Sequence, residues 1–249
     1  PVPRCRADAG GFAAVRERGL ALTTSQGERR VARIEAAGSA AELRVPELLI
    51  VAFKGAAFAA DAKQLAPLIG PRTIVLPMMN GVPWWFLHPG DAQPLASVDP
   101  HGHIAATVPL AQTLGAVVHL TCVGAAPGEV KHGFGERLIV GEPAGNRSER
   151  VELVAKALDS AGFQAERSAD IRRDIWFKLW GNMTTNPVSA LTRAACDAIL
   201  DDDLVRAFMA RGMAEAAAIG AHIGCPIDQT PEARMNVTRQ LGALKTSML

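Results

Sequence analysis

Cysteine is scarce. Cys5, Cys122, Cys196 and Cys225 are the four in 249 residues, and no two stand at a short spacing. That excludes a disulfide framework and a paired-thiolate zinc site, and it suits a reducing cytoplasm. The chain also lacks an apolar run of about 18 residues, the length a membrane-spanning helix needs. Lys54 interrupts the best stretch. No charged region followed by an apolar signal core stands at the N-terminus. Excess charge of one sign is missing too: 26 Lys+Arg against 25 Asp+Glu give a formal net charge of +1. A general nucleic-acid binder would carry a basic face instead. The expectation is a cytoplasmic protein with neither a nucleic-acid nor a membrane partner. What is plentiful is apolar residues, 49% against 20% charged. A chain of this length and composition builds a core, in one large or two ordinary domains.

The order of elements begins poorly. Residues 1–11 show no periodicity and read as a loop or a poorly ordered terminus. Phe12 to Arg18 reads as a helix end capped by Gly19, and Leu20–Thr24 with Arg29–Ile34 as a hairpin. Residues 47–53, Glu47 followed by six apolar residues, have the pattern of a strand buried on both faces of a parallel sheet. Ala56 to Leu68 is helical in pattern, and Thr73–Leu76 is the next strand. Strand, helix and strand over about 30 residues make a βαβ unit. Short strands over Leu114–Cys122, Gly128–His132 and Arg137–Val140 predict an antiparallel extension of that sheet. Gly141-Glu142-Pro143 closes the first domain. Everything beyond reads helical, from a helix starting at Ser148 to a last one starting at Pro231 with Thr230 as its cap. The fold class is therefore α/β followed by all-α, divided as 1–143 and 144–249.

The stretch from Ile171 to Leu191 holds the oddest chemistry. Lys178, Asn182 and Asn186 recur at i, i+4 and i+8, which stacks them along one helix face. Their neighbours Ile175, Trp176, Phe177, Leu179, Trp180 and Met183 are apolar nearly all round, so the helix is mostly buried. A buried Lys beside two buried amides is costly unless each has a partner. The spacing admits two readings: a proton donor with two amide forks for a polar ligand, or an exposed Lys with two turn residues, since Asn186-Pro187 also suits a turn or a new helix start. Likewise Lys54 and Asn80 stand at the ends of the two βαβ strands, where open α/β sheets bind ligands. They are ligand groups, or a solvated loop end and an Asn-Gly turn.

Other constellations are weaker. His101 and His103 have no carboxylate or Cys at ligand spacing, so no metal site is expected. No G-x-S-x-G elbow supports Ser/His/Asp catalysis. Gly133-Phe134-Gly135 starts like a dinucleotide loop, but Leu138 stands where the third glycine would be. Asp201–Asp203 is a helix-start charge run.

The pattern W-x-K-L-x-x-N-x-x-x-N-P-x-x-A-L, from Trp176 to Leu191, resembles the ketopantoate reductase (2-dehydropantoate 2-reductase) family. So do the strand ending at Lys54, the strand ending at Asn80-Gly81, and the K-x-S-M segment from Lys245 to Met248. The resemblance runs from about Phe12 to Met248. It implies a Rossmann-type NADP-binding domain followed by a helical substrate and dimerisation domain. It implies NADPH as cofactor and a small 2-oxo acid as substrate, reduced from 2-dehydropantoate to pantoate in pantothenate and coenzyme A biosynthesis. Lys178 becomes the catalytic general acid. Asn182, Asn186, Ser247 and Asn80 become substrate-binding residues, and Lys54 and Asn80 cofactor-binding ones. A homodimer through the helical domain is a candidate assembly. The family's opening strand and G-x-G-x-x-G loop have no counterpart before residue 12, and its acidic residue beyond the K-x-S-M segment has none either. The expected Rossmann domain is thus incomplete, or truncated. Two other readings follow: a non-catalytic remnant that serves as a binding or dimerisation module, and a dehydrogenase of the 3-hydroxy-acid type. The Asn186-Pro187 element and the K-x-S-M ending argue against the latter.

Overall fold

The computed structural model describes residues 4–6, 9–90, 93–240, 242, 243, 246 and 248. It divides into two compact units, Pro1–Met79 with Pro83–Ile171, and Arg172–Leu249 with Asn80–Val82. Along the first unit run β1 (Arg4–Arg6), α1 (Ala9–Arg18), β2 (Leu20–Thr23), β3 (Arg29–Ala32), β4 (Glu35–Ala37) and β5 (Leu48–Val51). Then come α2 (Gly55–Asp61), β6 (Ile74–Pro77), α3 (His103–Thr107), β7 (Gly115–His119), β8 (Cys122–Ala126) and β9 (Glu129–His132). The unit closes with β10 (Arg137–Gly141), α4 (Glu149–Ser160) and β11 (Gln164–Arg167). The helical unit holds α5 (Ile171–Thr192), α6 (Cys196–Asp201), α7 (Asp203–His222) and α8 (Pro231–Arg239).

Strands β5 and β6 pair in parallel from Leu48↔Ile74 to Val51↔Pro77. A parallel bridge joins Val75 to Thr113, and the Leu114 N–H donates to the Val75 carbonyl at 2.9 Å, which leads into β7. Strand β7 runs antiparallel to β10, and β10 runs parallel to β11. Helix α4 presents Val151, Val154, Ala155 and Leu158, spaced i, i+3, i+4 and i+7, to the core that also holds Leu76, Leu114, Leu138 and Val140. That spacing is the apolar stripe of an amphipathic helix. Its start is fixed by Ser148, whose Oγ accepts from the Val151 N–H at 3.2 Å, satisfying one of the donors a helix N-terminus leaves open.

A second sheet has the order β3-β2-β9-β8. It contains the expected hairpin, with Thr23 opposite Arg29 and Gly27 in the turn at φ +84°, a conformation glycine adopts without penalty. Strand β9 joins this hairpin in parallel. The expected antiparallel extension is therefore split: β7 and β10 form a three-stranded sheet with β11, reached from β6 through the single Val75–Thr113 bridge, while β8 and β9 belong to the sheet of the hairpin.

Several further expectations are corrected. Arg4–Arg6 is a strand, paired in parallel with Glu35–Ala37, where a loop was expected; three residues are too short to show alternation. The β5 run is not buried on both faces. Ile50 is 45% exposed, and Leu48 and Leu49 are only partly buried. Strand β11 falls in the region read as all-helical. By packing, both it and α4 group with the first unit, and β11 hydrogen-bonds to β10.

In the helical unit, Trp180, Met209 and Met213 are sealed from solvent, with Ile199, Leu200, Ala216 and Met235 around them. Asp202 starts α7 by accepting at Oδ1 from the N–H groups of Leu204 and Val205, both at 2.9 Å. Thr230 caps α8 through the Ala233 N–H at 3.2 Å, with Pro231 at the first turn, as the sequence predicts.

Candidate active site

Helix α5 decides where the central residues stand. It runs unbroken through Pro187, although proline has no N–H for the Met183 carbonyl and normally bends or ends a helix. Asn186 is therefore a helical residue, not a turn, and it keeps its place on the face of Lys178 and Asn182. All three are half-buried. Of the described α5 side chains only Arg173, Phe177, Leu191 and Thr192 are exposed, so the helix is enclosed as its composition predicts. Trp180 is anchored inside by its Nε1–H, which donates to the Met213 carbonyl at 2.7 Å. The polar stripe thus rides on a helix held from behind by packing.

Lys54 and Asn80 have matching places on their strands. Val51 and Pro77 form the last rung of the β5–β6 ladder, and each residue stands three positions past that rung. Lys54 is exposed and immediately precedes α2, yet its side chain makes no capping hydrogen bond. Asn80 is also exposed, and Gly81 follows at φ +93°. By packing, Asn80 groups with the helical unit and Lys54 with the first. Ser247 and Lys245 lie outside the described residues. Trp84, Trp85 and Phe86 are buried core residues, 2–4% exposed.

Elsewhere, the buried Glu142 serves the fold. The Glu142 carboxylate, 6% exposed, accepts from Ser148 Oγ at 2.5 Å and from Arg150 Nε at 2.6 Å, and Arg150 Nη2 bonds it as well. Burial pushes its pKa up, but the bonds from Arg150 and Ser148 and the Arg150 charge outweigh this and hold it below its ordinary value. Burial pushes the Cys122 and Cys196 thiols up, away from the nucleophilic thiolate. The rings of His101 and His103 lie 5.5 Å apart, and among the described residues no group of three or more His, Cys, Asp or Glu side chains could hold a metal ion. Nor is any helix among them long and apolar enough to cross a membrane. One residue escaped the sequence reading: Arg234 on α8 packs against Gly181 of α5. An isolated glycine inside a helix was the available signal.

A parallel β ladder with its flanking helices, followed by a helical unit, is the architecture of a Rossmann-type α/β domain joined to an all-α domain. Two family models match most of the chain. "Ketopantoate reductase PanE/ApbA" matches residues 5–145, and "Ketopantoate reductase PanE/ApbA C terminal" matches residues 170–249. A 2-dehydropantoate 2-reductase of Mesorhizobium japonicum is 40% identical over 240 residues, covering 95% of this chain and 73% of the relative. The crystal structure of a candidate ketopantoate reductase from Ralstonia solanacearum MolK2 is 53% identical, with a TM-score of 0.95 over 98% of this chain and 77% of that one. The 2-dehydropantoate 2-reductase of Geobacter metallireducens GS-15, 23% identical, shares the fold with a TM-score of 0.83 over 98% of this chain and 77% of its own. The chain belongs to the ketopantoate reductase family.

Proposed function

We propose that the protein reduces 2-dehydropantoate, or a closely related 2-oxo acid, to the corresponding 2-hydroxy acid with NADPH. The observation that carries this reading is the half-buried stripe Lys178–Asn182–Asn186 on one uninterrupted helix. A ketone becoming an alkoxide needs a proton, and an ammonium held at the reacting carbon supplies it from Nζ. Proton donation by a positioned side chain of this kind is general acid catalysis. Asn182 and Asn186 each offer an amide donor and an acceptor, which orient the hydroxyl and carboxylate ends of the substrate. Ser247 adds a hydroxyl to the same substrate.

For the cofactor, the donor set fits. Lys54 is a solvent-facing cation not used in capping, and Asn80 is an exposed amide. Both stand past the carboxyl ends of parallel strands, where α/β sheets take nucleotides. When bound, NADPH supplies the hydride that reduces the keto carbon. Lys54 and Asn80 hold the nicotinamide side, and Asn80 also touches substrate. This reading places the reaction in pantothenate synthesis in the cytoplasm. Exposed Leu204 and Phe208, one turn apart on α7 at 83% and 60%, support a homodimer through the helical unit.

The test is NADPH consumption on addition of 2-dehydropantoate, with NADPH binding followed separately by fluorescence. Turnover by the native chain, abolished in Lys178→Ala while NADPH binding persists, is the expected result. A chain that binds NADPH but leaves it unconsumed with every 2-oxo acid sinks the proposal.

A further inference from the structure

Two glycines stand opposite one another on the β7–β10 ladder, Gly115 paired with Gly141. Neither has the positive φ that would call for glycine on backbone grounds. Packing calls for them instead. A Cβ built on Gly115 would come within 2.7 Å of Ile171 Cγ1 and 3.1 Å of its Cγ2, and one on Gly141 within 3.0 Å of the Ile171 Cβ. Glycine inside a strand marks a place where other atoms approach closely. Here the pair forms a notch, and Ile171, the first residue of α5, fills it at 0% exposure. Trp85 closes one side, its Cη2 only 2.9 Å from where the Gly115 Cβ would stand. The chain leading to Ile171 is tied down as well. The Ser168 N–H donates to the Val140 carbonyl at 2.8 Å, and Ser168 Oγ accepts from the Asp170 N–H at 3.0 Å.

Ile171 ends the first unit, and Arg172 belongs to the helical one. From there α5 takes new partners. Arg172 Nη2 donates to the Ile223 carbonyl at 2.7 Å, and Arg173 Nη2 donates to Asp228 Oδ2 at 2.9 Å. One continuous helix thus has its first side chain set in a sheet and its next residues held elsewhere. Lys178 stands seven residues beyond Ile171, which places it about 20° round the helix and about 10 Å further along. Asn182, eleven residues beyond, lies about 20° to the other side. The face of α5 plugged into the glycine notch is therefore the face that carries the polar stripe. We propose that Ile171 in its Gly115–Gly141 notch is a positioning residue for Lys178: it fixes the rotation and the axial place of α5, and so the direction in which the Lys178 Nζ points. A shift of about 1 Å at a reacting group costs about 100-fold in rate, so a wedge two turns away is felt at the proton donor. The role given to Lys178 rests on the reductase reading above.

The experiment compares the native chain with Gly115→Ala, which crowds the notch, and Ile171→Ala, which empties it. The second adds no atom and serves if the first fails to fold. Steady-state kcat with 2-dehydropantoate and NADPH is expected to fall by about 10- to 100-fold in each. In a Lys178→Ala background the same changes are expected to lower the residual rate no further, because they act through Lys178. A packing role alone lowers the rate equally in both backgrounds, and that outcome overturns the proposal. Native kcat in both variants also overturns it. A second measurement needs no turnover. The lysine amines are methylated with isotope-labelled formaldehyde and read by NMR, the Lys178 signal being the one missing from Lys178→Ala. That signal is expected to shift in the notch variants while those of the other lysines stay. A Lys178 signal that stays, or that moves together with all the others, overturns the proposal. A native chain that reduces no 2-oxo acid overturns the reductase reading, and the Lys178 signal then decides the positioning by itself.

Discussion

Trp180 on α5 and Met213 on α7 are joined by one hydrogen bond, from the indole Nε1–H to the Met213 carbonyl at 2.7 Å. Both side chains are shut off from water, at 0% and 1% exposure. The bond is buried, specific in direction, and ties the helix that carries Lys178 to its neighbour.

Trp180→Phe removes that donor and part of the ring while keeping an apolar side chain. The lost bond and the small cavity together are expected to cost about 2–4 kcal/mol. Urea unfolding followed by circular dichroism reads this as a lower midpoint. A midpoint equal to that of the native chain would show that the bond contributes nothing net.

Gly220 on α7 makes a second test of the same packing. A Cβ there would lie 2.3 Å from Trp176 Nε1 and 2.6 Å from the Cys225 carbonyl oxygen. Alanine gains about 1 kcal/mol of helix propensity over glycine, but the overlap with a fixed backbone oxygen costs about 1–3 kcal/mol or more. Gly220→Ala is therefore expected to lower the melting temperature. A rise would mean that the C-terminal turn of α7 relaxes without cost.

Acid stability is expected to depend on Glu142. Its folded-state pKa lies below the ordinary value of 4.5, because the Arg150 and Ser148 bonds win over burial. A carboxylate of this kind adds stability that is fully present above the unfolded-state pKa and is lost as pH falls through the folded-state pKa. Glu142→Gln should destabilise at neutral pH and flatten the fall in melting temperature below about pH 4.5. Thermal melts of both proteins across the acid range check the sign. An unchanged acid slope would assign that slope to other carboxylates.

The proposed roles on α5 separate kinetically. Lys178→Ala is expected to lower kcat by about 10²- to 10⁴-fold, the range for a lost general acid. Asn182→Ala should act on KM as well as kcat, since it holds substrate in place. Steady-state rates with 2-dehydropantoate distinguish the two. A Lys178→Ala enzyme with native kcat would remove lysine from the chemistry.

Much of this protein is legible along the chain because the signals are local. The Ser148, Thr230 and Gly19 boundaries follow from capping chemistry confined to a few residues, and α5 follows from its periodicity. The i, i+4, i+8 stripe and the two strand-end residues could be found because each is a spacing within one element. The three-residue strands β1 and β4 could not, since a parallel rung is made by residues about 30 positions apart and leaves no local mark.

The sequence by itself determined the order of most elements, the polar stripe of α5 and the family the chain resembles, because hydrophobic period, capping and motif spacing act over one turn or one strand. Only the tertiary structure decided that α5 continues through Pro187, since the packing around Trp180 and Val188 outweighs the loss of one helical bond. It alone sent β8 and β9 to a different sheet from β7 and β10, a matter of which backbone groups found partners. It alone laid Arg234, more than 50 residues further on, into the space left by the missing side chain of Gly181. Contacts between distant residues depend on where whole elements pack, and no spacing along the chain encodes that.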